Sequence, residues 1–318
     1  MADEDDCYKK RNTNRLKIPN DISLKFFAYD VFKEGQIAYS RISDYVEKSY
    51  DIRVDYSLNN VNGVPFLVRK FNRYYSTYGT LIEFKKKDAY DAYKIISDAK
   101  SKKLYGWRTI KYGEERINVL FGRDDIIDFE YAENAYRYDG RKDPMIVDVL
   151  LTIADNVLPI ISKYSHDNND FFNLQMNYAM LWSSIDRYLV LKYGKKNQQE
   201  NLKFLADEES FKQAVLKYAD INNKVPSVFS NEDFRSFDLN KQKPLCCIRY
   251  YYTIRCNVVH TGKSSYEDYD LLKYSMIELL IIYMYVLKES FNEKNLFKGY
   301  FEELEHFIED KLKIKPLD

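Results

Sequence analysis

The stretch Tyr250-Tyr251-Tyr252-Thr253-Ile254-Arg255-Cys256-Asn257-Val258-Val259-His260-Thr261-Gly262 sets an arginine, an amide and a histidine in an aromatic-rich segment of helical character. The whole chain of 318 residues has only three histidines, and this one follows the arginine by five positions, just ahead of a glycine stop. Those residue types suit phosphodiester chemistry. A guanidinium holds phosphate in a planar fork of donors, and an imidazole moves protons near neutral pH. The ordinary alternative gives His260 a helix-end position, where a cation faces the negative end of the dipole.

The flanks read as helices. From Phe171 to Tyr193 apolar residues fall at Leu174, Tyr178, Leu181, Trp182, Ile185 and Leu189, the spacing of one buried helical stripe. Beyond Gly262, Ser265 with Asp268 has the pattern of a capping box. The helix it opens carries Leu272, Met276, Leu279, Leu280, Tyr283 and Leu287. Asp186 lies one turn after Trp182, beside the stripe. A carboxylate near a core is costly unless paired, so Arg255 is its natural partner; the other reading is a rim charge accompanying Arg187. Five steps of about 100° place His260 roughly 140° around the helix from Arg255, so one straight helix cannot aim both at one phosphate. Asn257 shares the histidine's face. Either the last turn unwinds before Gly262, or two copies of the segment meet across a two-fold axis.

The segment resembles the R-x4-H motif of HEPN-superfamily ribonucleases, in the form common to the Apea-like branch. The resemblance implies an antiparallel all-α bundle whose third core helix ends in the motif, with Asp186 as the acidic residue of an early core helix. It also implies a homodimer with a composite site, and a metal-independent endoribonuclease that uses no cofactor. In that chemistry the ribose 2′-hydroxyl attacks the adjacent phosphorus, His260 carries a proton, Arg255 stabilises developing charge and Asn257 orients the site. Arg249, Tyr252 and Lys263 are the candidate RNA-binding residues, with Tyr251 and Tyr252 offering apolar surface to a second copy. A toxin or antiviral defence role follows on family grounds alone. One departure stands out: Cys256 follows the arginine where many members carry a polar residue, and the amide comes one place later. That departure admits a non-catalytic HEPN-like protein that binds RNA or protein.

The N-terminal half has a different grain. Leu24 to Phe32 reads as an aromatic strand, Gly35 breaks it, and Gln36 to Glu47 has helical spacing at Ala38, Ile42 and Tyr45. Thr80 to Phe84 reads as a strand after Gly79, Asp88 to Ala99 as a helix, and Trp107 to Tyr112 with Ile117 to Phe121 as a hairpin around Gly113. The order resembles the gamma-glutamyl cyclotransferase-like fold, a small mixed barrel with peripheral helices. Tyr29-Asp30-Val31-Phe32-Lys33-Glu34-Gly35 stands where that family has its substrate loop, and Gly79 to Phe84 echoes a later strand. Ser97 to Tyr105 stands in for the catalytic segment, with Ser101 in the place of the glutamate. The resemblance implies a pocket at Tyr29, Asp30, Val31, Phe32, Gly35 and Tyr105 for a small-molecule ligand or a partner protein. Because Ser101 cannot replace the general acid/base, it implies fold more than activity, and an active cyclotransferase is the third reading.

The chain therefore reads as an α+β protein: a flexible N-terminus over 1–21, a cyclotransferase-like domain over 22–122, a linker over 123–142 and a HEPN-like helical domain over 143–318. Lys and Arg together balance Asp and Glu at 49 each, so RNA contact must come from local patches. Four cysteines without C-x-x-C spacing point to a reducing, cytoplasmic setting. No Cys/His cluster indicates a metal, and no apolar run is long enough for a membrane. Asp143-Pro144 reads as the cap and first residue of a helix that Pro159 interrupts. Asn222 to Pro244 reads as a long connection, and Phe297 to Leu312 as an amphipathic helix.

Overall fold

The computed structural model describes residues 15–61, 64–71, 76–123, 132–133, 143–163, 167–194, 196–220, 227–230, 235–261 and 266–313. The chain divides into two compact units, Met1–Asp143 and Pro144–Asp318, a sheet-bearing unit followed by a helical one.

The first unit is built from β1 (Lys25–Ala28), β2 (Val46–Val54), β3 (Tyr56–Val61), β4 (Val64–Phe71), β5 (Thr77–Phe84), α1 (Ala89–Asp98), β6 (Tyr105–Tyr112), β7 (Glu115–Gly122) and β8 (Ala132–Glu133). Five strands form a sheet in the order β2-β5-β1-β7-β6, and β4-β3-β8 form a second, three-stranded sheet. Central β1 pairs antiparallel with β5 and parallel with β7. Its Phe26-Phe27-Ala28 run is wholly buried, as a strand covered on both faces requires. Gly79 is demanded by this packing: a Cβ there would stand 2.4 Å from the Ala28 carbonyl oxygen and 2.6 Å from the Phe27 ring. Helix α1 buries Ala89, Ala92, Tyr93 and Ile96. Tyr93 meets Phe26, Phe84 and Trp107 edge-on, and its hydroxyl donates to the Leu24 carbonyl at 2.6 Å.

Two sequence expectations for this unit are corrected. The strand expected over Leu24 to Phe32 ends at Ala28, because the next residues form a tight turn in which the Lys33 amide donates to the Asp30 carbonyl at 2.9 Å. The helix expected over Gln36 to Glu47 is two short 3-10 turns, Ile37–Arg41 and Ser43–Tyr45, and Val46 already starts β2. Edge strand β2 alternates in burial only at its end, so its sequence carries little period-two signal. Within the expected linker, Ala132 and Glu133 pair with β3.

The second unit opens with a wide helical turn at Pro144–Asp148 and continues through α2 (Val149–Ile161), α3 (Asn168–Tyr193), α4 (Gln198–Asp207), α5 (Glu209–Tyr218), the short strands β9 (Ser227–Phe229) and β10 (Ser236–Asp238), α6 (Pro244–Thr261), α7 (Tyr266–Ser290) and α8 (Lys298–Lys313). Pro159 does not interrupt α2, which runs past it to Ile161. A proline this near the C-terminal end falls where the helix is finishing anyway. Helix α3 starts at a capping box, with the Asp170 amide donating to the Asp167 carboxylate at 2.8 Å. It packs against α2, α6 and α7, and all six stripe residues read from the sequence are buried. The apolar positions read for α7 are buried too, and Phe301, Leu304 and Ile308 dock α8 onto its own unit.

Polar bonds inside this core fix how α3, α6 and α7 stack. Tyr178 donates to the Tyr251 carbonyl at 3.0 Å, Tyr251 to the Glu278 carboxylate at 2.6 Å, and Tyr283 to the Ser184 carbonyl at 2.9 Å. Glu208, between α4 and α5, accepts from Tyr188, Tyr193 and Lys192 of α3. Helices α4 and α5, absent from the sequence reading, occupy a stretch with its own signals: Asn197 and Glu200 form a capping box, and Leu202, Leu205 and Ala206 make the apolar face. The expected long connection before α6 holds the β9–β10 hairpin. Among the described residues no helix is long and apolar enough to cross a membrane.

Candidate functional site

Helix α6 carries the motif. It is continuous from Pro244 to Thr261, so the last turn does not unwind before Gly262. Positions 255 and 260 therefore stay about 140° apart around the axis. The backbone of His260 continues the helix, while its side chain, together with Lys263, Gly262 and Ser265, lies outside the described residues. Arg249 lies about 120° around from Arg255 but nearly in line with position 260, about 16 Å along the axis.

Arg255 is half-buried, its guanidinium 5.8 Å from the centre of the Tyr252 ring, and Tyr252 in turn meets Trp182 of α3 edge-on at 5.3 Å. Among the described residues no hydrogen bond engages that guanidinium. Asp186 approaches from α3, half-buried. Its carboxylate accepts from the Gln198 amide of α4 at 3.1 Å. Burial pushes its pKa up, while the Gln198 hydrogen bond and the Arg255 charge oppose that rise. Three helices thus bring Asp186, Gln198, Tyr252 and Arg255 into one neighbourhood, with Arg255 acting on Asp186 through space. Cys256, the departure from the motif, shares a hydrogen bond with Tyr252, and burial above all pushes that phenol up to about 12, so it stays protonated at neutral pH.

Asn257 points elsewhere. Its amide donates to the Phe229 carbonyl at 2.8 Å and so fastens the hairpin to the motif helix. Tyr251, read as surface for a second copy, is fully buried against Glu278, which corrects that expectation; Tyr252 is half-buried. Gln198 and Phe229 were missed by the sequence reading. The capping box ahead of Gln198 could have revealed its helix, whereas nothing in a three-residue strand announces Phe229.

The loop Tyr29 to Gly35 in the other unit is occupied by the fold itself. The Tyr29 hydroxyl donates to the Leu120 carbonyl at 2.8 Å and accepts from the Leu67 amide at 3.2 Å, and burial drives its pKa upward. Asp30, 1% exposed, forms an ion pair with Lys100 and accepts from the Phe32 amide at 3.1 Å. The Lys100 ammonium lies 4.7 Å from the Tyr105 ring centre and 5.8 Å from that of Phe32. Tyr105 donates to the Pro65 carbonyl at 3.1 Å. Val31 is half-buried, and Gly35 makes an exposed turn at φ +80°, a conformation glycine adopts without strain. Ser101, set by the sequence resemblance at the place of a glutamate, accepts from the Lys103 amide at 3.2 Å. Comparison with models of known families, with curated proteins and with solved structures finds no match.

Proposed function

We propose that the helical unit is a HEPN-like, metal-independent endoribonuclease and that the chain works as a homodimer in the cytoplasm. The neighbourhood of Asp186 on α3 and Arg255 on α6, which act on each other through space, carries this reading. A half-buried carboxylate near a guanidinium that makes no hydrogen bond among the described residues supports a phosphate-binding arginine. The 2′-hydroxyl attacks the adjacent phosphorus, the bond to the 5′-oxygen breaks, and a 2′,3′-cyclic phosphate and a 5′-hydroxyl result. His260 accepts the proton from the attacking hydroxyl or returns one to the leaving oxygen, a role typically worth roughly 10²–10⁴-fold. Arg255 stabilises charge on the phosphoryl oxygens. DNA lacks the nucleophile and is not cut. The unbroken helix supports a composite site, since two copies related by a two-fold axis can converge where one cannot. The setting that fits is a toxin or defence protein.

In this reading the first unit is a gamma-glutamyl cyclotransferase-like module without that activity. The Asp30–Lys100 ion pair and the three buried aromatic side chains that fill its loop region support this assignment. Complementation tests the composite site. Co-expressing Arg255→Ala and His260→Ala chains leaves one intact Arg–His combination in each mixed dimer, so about a quarter of the wild-type rate should return. Light scattering should give twice the 38.0 kDa chain mass. A monomer that cleaves RNA, or variants that stay inactive in mixed dimers, would refute the shared site.

A further inference from the structure

Among the described residues, Gln198 alone makes a hydrogen bond to Asp186, its side-chain amide donating to the carboxylate at 3.1 Å. That amide is delivered by a fixed helix end. Gln198 opens α4 directly after Asn197, whose side chain accepts from the Glu200 amide at 2.9 Å. The Glu200 carboxylate accepts in return from the Asn197 amide at 3.3 Å. Leu202 and Leu205 are buried, and α4 packs against both α3 and α6. The start of α4 is thus held against the two helices that carry Asp186 and Arg255.

Asp186 has need of such a donor. It lies half-buried, and loss of water favours the neutral acid. Burial is the largest influence on it and raises its pKa, opposed by the Gln198 hydrogen bond and then by the Arg255 charge. The other titratable neighbour on α6 is Tyr252, which burial above all keeps protonated, so it adds no charge at neutral pH. Arg255 acts through space without a hydrogen bond, which leaves the amide as the direct contact that favours the carboxylate. A neutral donor has a further property. It stabilises the ionised form without cancelling its charge, as a lysine or arginine in the same place would, so the negative charge remains for Arg255.

We infer that Gln198 is a positioning residue of this site: its amide holds the Asp186 carboxylate in place and in its charged form, and so sustains the field that Arg255 meets. What that field serves rests on the ribonuclease reading.

The test reads Asp186 and cleavage separately. In full-length protein isotope-labelled at its aspartate carboxyl carbons, the Asp186 signal is assigned by its loss in Asp186→Asn and followed by NMR against pH. Gln198→Glu keeps the size of the side chain but replaces the donor with a second carboxylate. The Asp186 titration should then move to higher pH, by about one unit or more. A glutamate also suits the first turn of a helix, so this variant keeps the fold. Gln198→Lys supplies a charged donor and should move the titration to lower pH. The acid limb of the cleavage profile on single-stranded RNA should follow in the same directions. Its rate should fall about tenfold for each pH unit of upward movement. A residue that merely held α4 in place would alter thermal stability without these opposite movements. An Asp186 titration unmoved in both variants would overturn the assignment, as would a cleavage profile that stays fixed while the titration moves. Titrations that move as stated in a protein that leaves RNA intact would uphold the action of Gln198 on Asp186 and sink the ribonuclease.

Discussion

Each unit places an aspartate and a basic residue where a family resemblance expects its site, and the two pairs are built differently. Asp30 and Lys100 are closed on each other: the aspartate side chain is 2% exposed, the lysine side chain 9%, and the Phe32 and Tyr105 rings lie against the ammonium. Asp186 and Arg255 are held apart on separate helices, each half-buried, the aspartate bonded to Gln198 and the arginine resting on a ring face. A buried ion pair that satisfies itself is structural. Arg255, near the Asp186 carboxylate, makes no hydrogen bond among the described residues, and the proposed function gives it a phosphate to hold. The same residue types are thus spent on each other in one unit and stand apart in the other.

Breaking the closed pair should have the largest effect. Asp30→Ala leaves a buried ammonium without its partner, and such losses cost about 3–5 kcal/mol. Hydrogen exchange read over β1 and β7 reports that unit separately. Asp30→Leu with Lys100→Met should recover most of the loss, because a well-packed apolar pair is often as stable as the ions it replaces. Arg255→Ala, by contrast, should cost under about 1 kcal/mol of fold while removing activity. If the two pairs respond alike, the distinction between them fails.

Neighbouring tyrosines on α6 sharpen the comparison at smaller scale. Tyr251→Phe removes a buried bond to a carboxylate and should destabilise by about 1–3 kcal/mol. Tyr252→Phe should stay within about 0.5 kcal/mol and act on RNA binding instead. Equal thermal shifts for both would contradict the burial difference.

The smallest effect concerns Asp186. Burial raises its pKa in the folded state, so the fold disfavours the ionised form. That cost is absent below the usual carboxylate range and present in full once pH exceeds the raised value. Asp186→Asn should therefore stabilise the protein slightly at neutral pH and lose that advantage on acidification, while lowering cleavage. Stability gained with activity lost is the pattern of a functional carboxylate. A variant that is less stable at pH 7 would make Asp186 structural.

What the sequence made legible follows from the strength of each periodic signal. Helices α3 and α7 were readable because long apolar stripes repeat over many turns, and α6 from its aromatic-rich run before the glycine stop. Buried β1 was readable from Phe26-Phe27-Ala28, though its end was not, since the apolar run continues through Val31 and Phe32 while the Phe32 and Lys33 amides donate to Asp30 in a turn. Strands β2 to β4 were missed because exposed polar residues and a bulge between Val46 and Lys48 blur the alternation. At the site, Arg255, Asn257 and Asp186 were visible as residue types at a spacing. Gln198, Phe229 and the burial of Tyr251 were not, because each depends on contacts between elements far apart in the chain.

The most direct measurement follows the 5′- and 3′-ends produced when purified wild-type and His260→Ala proteins act on single-stranded RNA in the presence of EDTA. A HEPN-like site predicts 5′-hydroxyl and 2′,3′-cyclic phosphate ends from the wild type, with the rate falling roughly 10²–10⁴-fold in the variant. Free 3′-hydroxyl ends, loss of all activity with EDTA, or a His260→Ala protein that cuts as fast as wild type would contradict it.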